Sequence, residues 1–165
     1  MRLHGAIIAA AFAAATPVRA QDDAAIAEKY IAAYSTFDVS KMAPYYAEDA
    51  VFYDPTSAGQ VPGHEAFIFE GKDAILKNLG AYAAGYKSFS VRYDLERRYE
   101  SAGVVVFVAD LVYQGETKDG QKFSGANPIV TVIEIRDGKV ARHSDFFDYK
   151  GNAVDYRAIA TETKK

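Results

Sequence analysis

The chain has 165 residues and a formal charge of −3 at pH 7, with 12 tyrosines, 10 phenylalanines and no tryptophan or cysteine. The missing thiols exclude a disulfide framework, a thiol nucleophile and a zinc–thiolate site. The acidic balance argues against nucleic acid as a partner.

At the start, Arg2 precedes an apolar run from Ala6 to Ala15, followed by Thr16-Pro17-Val18-Arg19-Ala20 and the polar Gln21-Asp22-Asp23. A basic residue, an apolar core and small residues at positions 18 and 20 are the marks of a cleavable secretory signal peptide over residues 1–20. The run is well short of the ~20 residues a bilayer span needs, so no membrane anchor is expected after cleavage. No cysteine follows it to carry a lipid. The expected mature protein is one domain, residues 21–165, exported to the periplasm or secreted.

Ile26, Tyr30, Ala33, Tyr34 and Phe37 recur at helical spacing and predict an amphipathic helix over 22–37. Asp38 can cap a second helix through Tyr46, and Ala50 to Tyr53 read as a strand stopped by Asp54-Pro55. Phe67 to Phe69 form a short strand before a third helix over 72–86, with Ile75, Leu79 and Tyr82 inward. From Ser90 onward strands take over, at 90–99, 104–114, 128–135 and 140–149. Lys118-Asp119-Gly120 and Asp137-Gly138-Lys139 supply hairpin turns. A short helix is expected beyond Asn152. Helices first and an antiparallel meander afterwards give an α+β fold.

This order, with Tyr45-Tyr46-Ala47-Glu48-Asp49-Ala50-Val51-Phe52 before Asp54-Pro55, Gly71-Lys72-Asp73-Ala74-Ile75, and Gly138-Lys139-Val140 before an aromatic and acidic strand, resembles the SnoaL-like, ketosteroid-isomerase-like superfamily. The resemblance spans nearly all of the mature chain. It implies helices packed on a strongly curved antiparallel sheet, a conical barrel with an internal apolar pocket. It implies no single activity, since the superfamily holds isomerases, cyclases, epoxide hydrolases, dehydratases and pure binders.

Tyr30 and Asp54 resemble the oxyanion-donating tyrosine and the general base of ketosteroid isomerases. Where those enzymes carry a second, protonated acid, after Pro128-Ile129, this chain has Val130. Asp145 resembles the water-activating aspartate of limonene epoxide hydrolases, and Asp110 is placed like their second acid, but Val108 stands where their arginine would be. Independently of any family, strand parity puts His143 and Asp145 on one face as a candidate acid–base pair. Asp110 shares a face with Val104, Val106, Val108 and Val112, where a charge needs a partner. The expected catalytic set is therefore Tyr30, Asp54, Asp110, His143 and Asp145, with Phe52, Val108, Val130 and Phe147 lining the pocket.

His64 reads as a loop residue, and no metal site or cofactor is expected, for want of diagnostic spacing or a phosphate-binding loop. Three readings stay open. One is a cofactor-independent acid–base enzyme of isomerase, lyase, cyclase or hydrolase type, acting on a small apolar or aromatic molecule. The second is a non-catalytic carrier of such a molecule, and the third is an assembly module with a vestigial pocket. A homodimer is expected through an outer sheet face carrying Ile129, Thr131, Ile133 and Ile135, with Val130 turned toward the pocket.

Overall fold

The computed structural model of the chain describes residues 18–60 and 65–151, with side chains from Asp23 onward. The expected leader up to residue 17, His64 and the helix expected beyond Asn152 lie outside the described residues.

Helix α1, Val18–Tyr34, buries Ala24, Ala27, Tyr30, Ile31 and Tyr34, the spacing of one helical stripe. It ends three residues earlier than expected because Phe37 takes a left-handed φ of 52°, which closes a turn with its N–H donating to the Tyr34 carbonyl. Helix α2, Val39–Met42, is capped as expected: the Ser40 N–H donates to Asp38 Oδ1 at 3.0 Å. It stops at Met42 although Ala43 keeps helical angles, because Pro44 has no N–H to continue the hydrogen-bond ladder. Tyr46 therefore opens strand β1, Tyr46–Asp54, instead of closing a helix. Strand β2, Phe67–Glu70, leads through Gly71 into α3, Lys72–Ala84. Ile75 and Leu79 are buried there, but Tyr82 is 47% exposed, its ring meeting Phe37, Tyr86 and Phe89 at the rim.

Four long strands follow: β3 Tyr86–Ser101, β4 Val104–Thr117, β5 Lys122–Arg136 and β6 Lys139–Phe147. Two-residue turns at Ala102-Gly103 and Asp137-Gly138, all with positive φ, make the tight hairpins whose twist suits antiparallel strands. The order across the sheet is β2-β1-β6-β5-β4-β3. The meander is antiparallel, as expected, but β1 joins β6 in parallel. The result is an α+β domain with a curved six-stranded sheet whose two edges do not pair with one another. Among the described residues no helix is long and apolar enough to cross a membrane.

The strand faces decide where a site can lie. Ile129, Thr131, Ile133 and Ile135 are at most 9% exposed and share the helix-covered face with Val105, Phe107 and Ala109. Hence Val108 and Val130 lie on the opposite, outer face with Val106 and Val132, the reverse of the expected parity. Both faces of β4 and β5 are apolar, so alternation carries no information about which is inward.

Candidate functional site

Tyr30 and Tyr34 stand one turn apart on α1 and descend onto the inner face of β6, where His143 and Asp145 alternate with Ser144. Register places Phe52 of β1 beside His143, and Thr131 of β5 opposite Asp145. Tyr30, Thr131 and His143 have no exposed surface, and Asp145 is 5% exposed.

These side chains form one chain of hydrogen bonds. Tyr46 Oη and Tyr30 Oη are 2.5 Å apart, and Tyr30 Oη lies 2.6 Å from His143 Nδ1. Burial first, and then Tyr46, push the Tyr30 phenol well above its ordinary pKa, and burial does the same for Tyr46. Both phenols therefore keep their protons. Both phenolic protons find a partner when Tyr46 donates to Tyr30 and Tyr30 donates to Nδ1, which leaves the imidazole proton on Nε2. Nε2 lies 2.9 Å from Asp145 Oδ1, close enough for attraction, yet it has no aligned hydrogen bond.

Asp145 is held from its other sides. Thr131 Oγ1 donates to Oδ1 at 2.5 Å, Tyr93 approaches Thr131 Oγ1 at 3.2 Å, and Tyr34 donates to Oδ2 across a long 3.4 Å. Since the single Thr131 proton goes to the carboxylate, Tyr93 is the donor of its pair. Burial, and after it the Asp145 charge, raise the Tyr34 and Tyr93 phenols well above the usual range. Oδ2 is the carboxylate oxygen with the most accepting capacity left.

Asp54, 4% exposed, ends β1 one position beyond the Tyr53–Ser144 register pair and so sits beside Asp145. Its oxygens are committed. Thr56 Oγ1 and the Ser57 N–H donate to Oδ1 at 2.7 and 3.0 Å, capping the 3₁₀ turn Pro55–Ser57, and Tyr149 donates to Oδ2 at 2.5 Å. Burial, followed by this bond to Asp54, raises the Tyr149 phenol.

Tyr30, His143 and Asp145 thus come together, with Asp54 adjoining. Phe52 flanks them, its ring centroid 4.8 Å from that of His143, and Phe147 stands at the side, 4.9 Å from Tyr149. Asp110 does not join them: it is exposed on the outer face, opposite Asp94 and Pro128. Val108 and Val130, expected to line the pocket, share that outer face and cannot reach it. Tyr34, Tyr46, Tyr93, Thr131 and Tyr149 were not among the expected site residues. Tyr34 could have been found as the next turn of the Tyr30 stripe, whereas Tyr46 was hidden in an apparent helix end.

A groove of about 320 Å³ opens between α1 and β3, walled by Ile31, Ala32, Val91 and Phe107, with Tyr93 in its wall. The Tyr93–Thr131 contact puts this groove one phenol away from Asp145. Among the described residues no three His, Asp or Glu side chains are grouped to hold a metal ion.

No curated protein matches the chain. Solved structures do. A protein assigned as a SnoaL-like polyketide cyclase from Shewanella denitrificans OS-217 has a TM-score of 0.66 at 20% identity, covering 90% of this chain and 99% of its own. A counterpart from Shewanella putrefaciens CN-32 has a TM-score of 0.65 at 21% identity, covering 84% and 96%. A phenazine biosynthesis-related protein from Pseudomonas aeruginosa has a TM-score of 0.64 at 16% identity, covering 93% and 89%. At these identities the likeness is one of fold. The SnoaL-like domain model matches residues 27–143, from α1 through His143, and the chain therefore belongs to the SnoaL-like family.

Proposed function

We propose that this protein is a cofactor-independent acid–base enzyme acting on a small apolar or aromatic molecule, with Asp145 as the group that exchanges the proton. The observation that carries the reading is a buried carboxylate fixed through Oδ1 by Thr131, while Oδ2, reached by Tyr34 only at 3.4 Å, keeps accepting capacity. Tyr93 is committed to Thr131, whereas Tyr34, held protonated and bonded to Oδ2 across only a long 3.4 Å, is the phenol that can turn to an oxygen gaining charge as a proton leaves carbon. His143 Nε2 lies 2.9 Å from Oδ1. Fold neighbours assigned as polyketide cyclases, and one named TerC that was co-crystallised with polyporic acid, support a ring-shaped ligand.

The test is deuterium exchange at the acidic carbon of 2-tetralone, followed by NMR. The protein should accelerate exchange, and Asp145→Asn should remove about 100-fold of that acceleration, the scale of a lost general base. Equal exchange with and without protein would end the catalytic reading. A carrier function is then the alternative, favoured by one observation: Tyr30 and Asp54 spend their hydrogen bonds inside the protein.

We further propose export, with Gln21 as the first mature residue, to be read by intact mass, and a homodimer. The dimer face is now the outer one, where Val106, Val108, Val130 and Val132 surround a Phe146 that is 43% exposed. Light scattering showing only monomer at high micromolar concentration would refute it.

A further inference from the structure

Tyr30 and Tyr46 take no part in the proton exchange proposed at Asp145 Oδ2, yet they carry two short hydrogen bonds inside the core. Tyr30 has no exposed surface and Tyr46 is 2% exposed. The Tyr30 hydroxyl donates to His143 Nδ1 at 2.6 Å and accepts from Tyr46 Oη at 2.5 Å. On the far side of the imidazole, Nε2 stands 2.9 Å from the Asp145 carboxylate. The Tyr30 phenol thus has a base for its proton, a donor for its oxygen, and an anion placed to face the imidazolium that its proton would make. The half-buried Tyr45 leads outward, its ring centroid 6.1 Å from that of Tyr30. The chain has no tryptophan and no cysteine, so tyrosine is the side chain that yields an electron most readily.

From this we infer that Tyr30 is a one-electron redox site: an outer-sphere oxidant at the surface draws an electron from its ring by way of Tyr45, while the phenolic proton passes to His143. In that step the Tyr30 O–H bond breaks and an N–H bond forms at Nδ1. The oxidant is reduced by one electron, and a neutral phenoxyl radical is left beside an imidazolium. A one-electron donor reverses both transfers. Losing the electron alone would leave an uncompensated cation radical in the core, the costly case of a buried charge. Passing the proton to Nδ1 puts the new charge on a proton-accepting ring beside a carboxylate that needs a partner. Burial of Tyr30 also keeps the radical from coupling to a ring of another chain.

The probe is tris(bipyridine)ruthenium(III), generated by a laser flash in the presence of the full chain and a sacrificial cobalt(III) quencher. Tyrosyl absorbance should decay in two phases, one from exposed tyrosines and a slower one from Tyr30. The slow phase should outlive the fast one by at least about tenfold, since the phenoxyl oxygen keeps two donors, one of them charged. Tyr30→Phe and His143→Gln, each checked for folding by circular dichroism, should both lose the slow phase. Tyr45→Phe should slow its rise without shortening its decay. If the first two variants fail to fold, the wild type decides alone: electron–nuclear double resonance of the frozen radical in deuterium oxide should show exchangeable deuterons bonded to the phenoxyl oxygen. A wild-type signal that decays in a single phase, at the rate of N-acetyltyrosinamide, would overturn the site, and so would a radical without those deuterons. A slow phase that survives in folded Tyr30→Phe would overturn the assignment to Tyr30, and one that survives in folded His143→Gln would overturn the proton transfer. A rise untouched by Tyr45→Phe would overturn the route.

Discussion

Thr131 and Asp145 face each other across the β5–β6 pair, and the threonine hydroxyl donates to the carboxylate at 2.5 Å. A hydroxyl on a fully buried strand face is tolerated because it has this acceptor and the Tyr93 donor. Thr131→Val keeps the shape and removes the donor, so it should lower stability by roughly 1.5–3 kcal/mol, the range for hydrogen bonds to charged groups. Thr131→Ser should retain most of it. Urea unfolding of the two variants measures the difference, and equal midpoints would show that the bond contributes nothing.

Tyr30 links Tyr46 to His143, whereas Tyr34 reaches Asp145 only at 3.4 Å. Tyr30→Phe strands two buried partners and should cost about 2–6 kcal/mol, on a scale of 1–3 kcal/mol for each unsatisfied group. Tyr34→Phe should cost less than about 1 kcal/mol, since a bond that long is already weak. The order of the two thermal midpoints is the check.

Alkaline pH should unfold the protein abruptly. Burial raises the phenols of Tyr30, Tyr34, Tyr46 and Tyr93 above the ordinary value of 10.0. Above pH 10 the unfolded chain loses these protons and the folded one keeps them. The unfolded state then binds fewer protons, and stability falls as pH rises. Four such groups give a slope of up to about 5 kcal/mol per pH unit, comparable to the whole stability of a small domain. Tyrosinate absorbance should therefore show a cooperative step coincident with the loss of circular dichroism. A gradual titration of the four phenols in a folded protein would contradict the raised values.

The α1 stripe could be read in advance because Tyr30 and Tyr34 repeat at the helical period beside small alanines, and Asp38 announced its cap. The placement of His143 and Asp145 on one face followed from strand parity alone, for one exposed neighbour, Phe146, and one buried one, Ser144, do not disturb it. What failed was the inward face of β4 and β5. Valine and isoleucine fill both sides, so the position after Pro128-Ile129 alone turned Val130 inward and left Thr131, the buried partner of Asp145, on the expected outer face. Asp110 went wrong with it, placed by the same inverted parity. Tyr46 was missed because Pro44, not the apolar pattern, ends the second helix. None of the long-range bonds to Tyr93 or Tyr149 has a local signature.

Asp54 offers the sharpest test of how far this chain has moved from the ketosteroid-isomerase pattern that its Tyr30 and Asp54 suggest. Its carboxylate caps the Pro55–Ser57 turn and accepts from Tyr149, leaving less capacity for a substrate than Asp145 Oδ2 has. Asp54→Asn preserves an oxygen for the Ser57 N–H and presents an amide to Tyr149 Oη, which can accept, so the fold should change by under about 1 kcal/mol. Asp54→Ala removes the cap and should cost about 1–2 kcal/mol. If Asp145 is the proton-exchanging group, Asp54→Asn should slow tetralone exchange by less than about tenfold while Asp145→Asn removes about 100-fold. The reverse order would return the role of base to Asp54, and Tyr149→Phe, which frees Asp54 Oδ2, should then raise the rate.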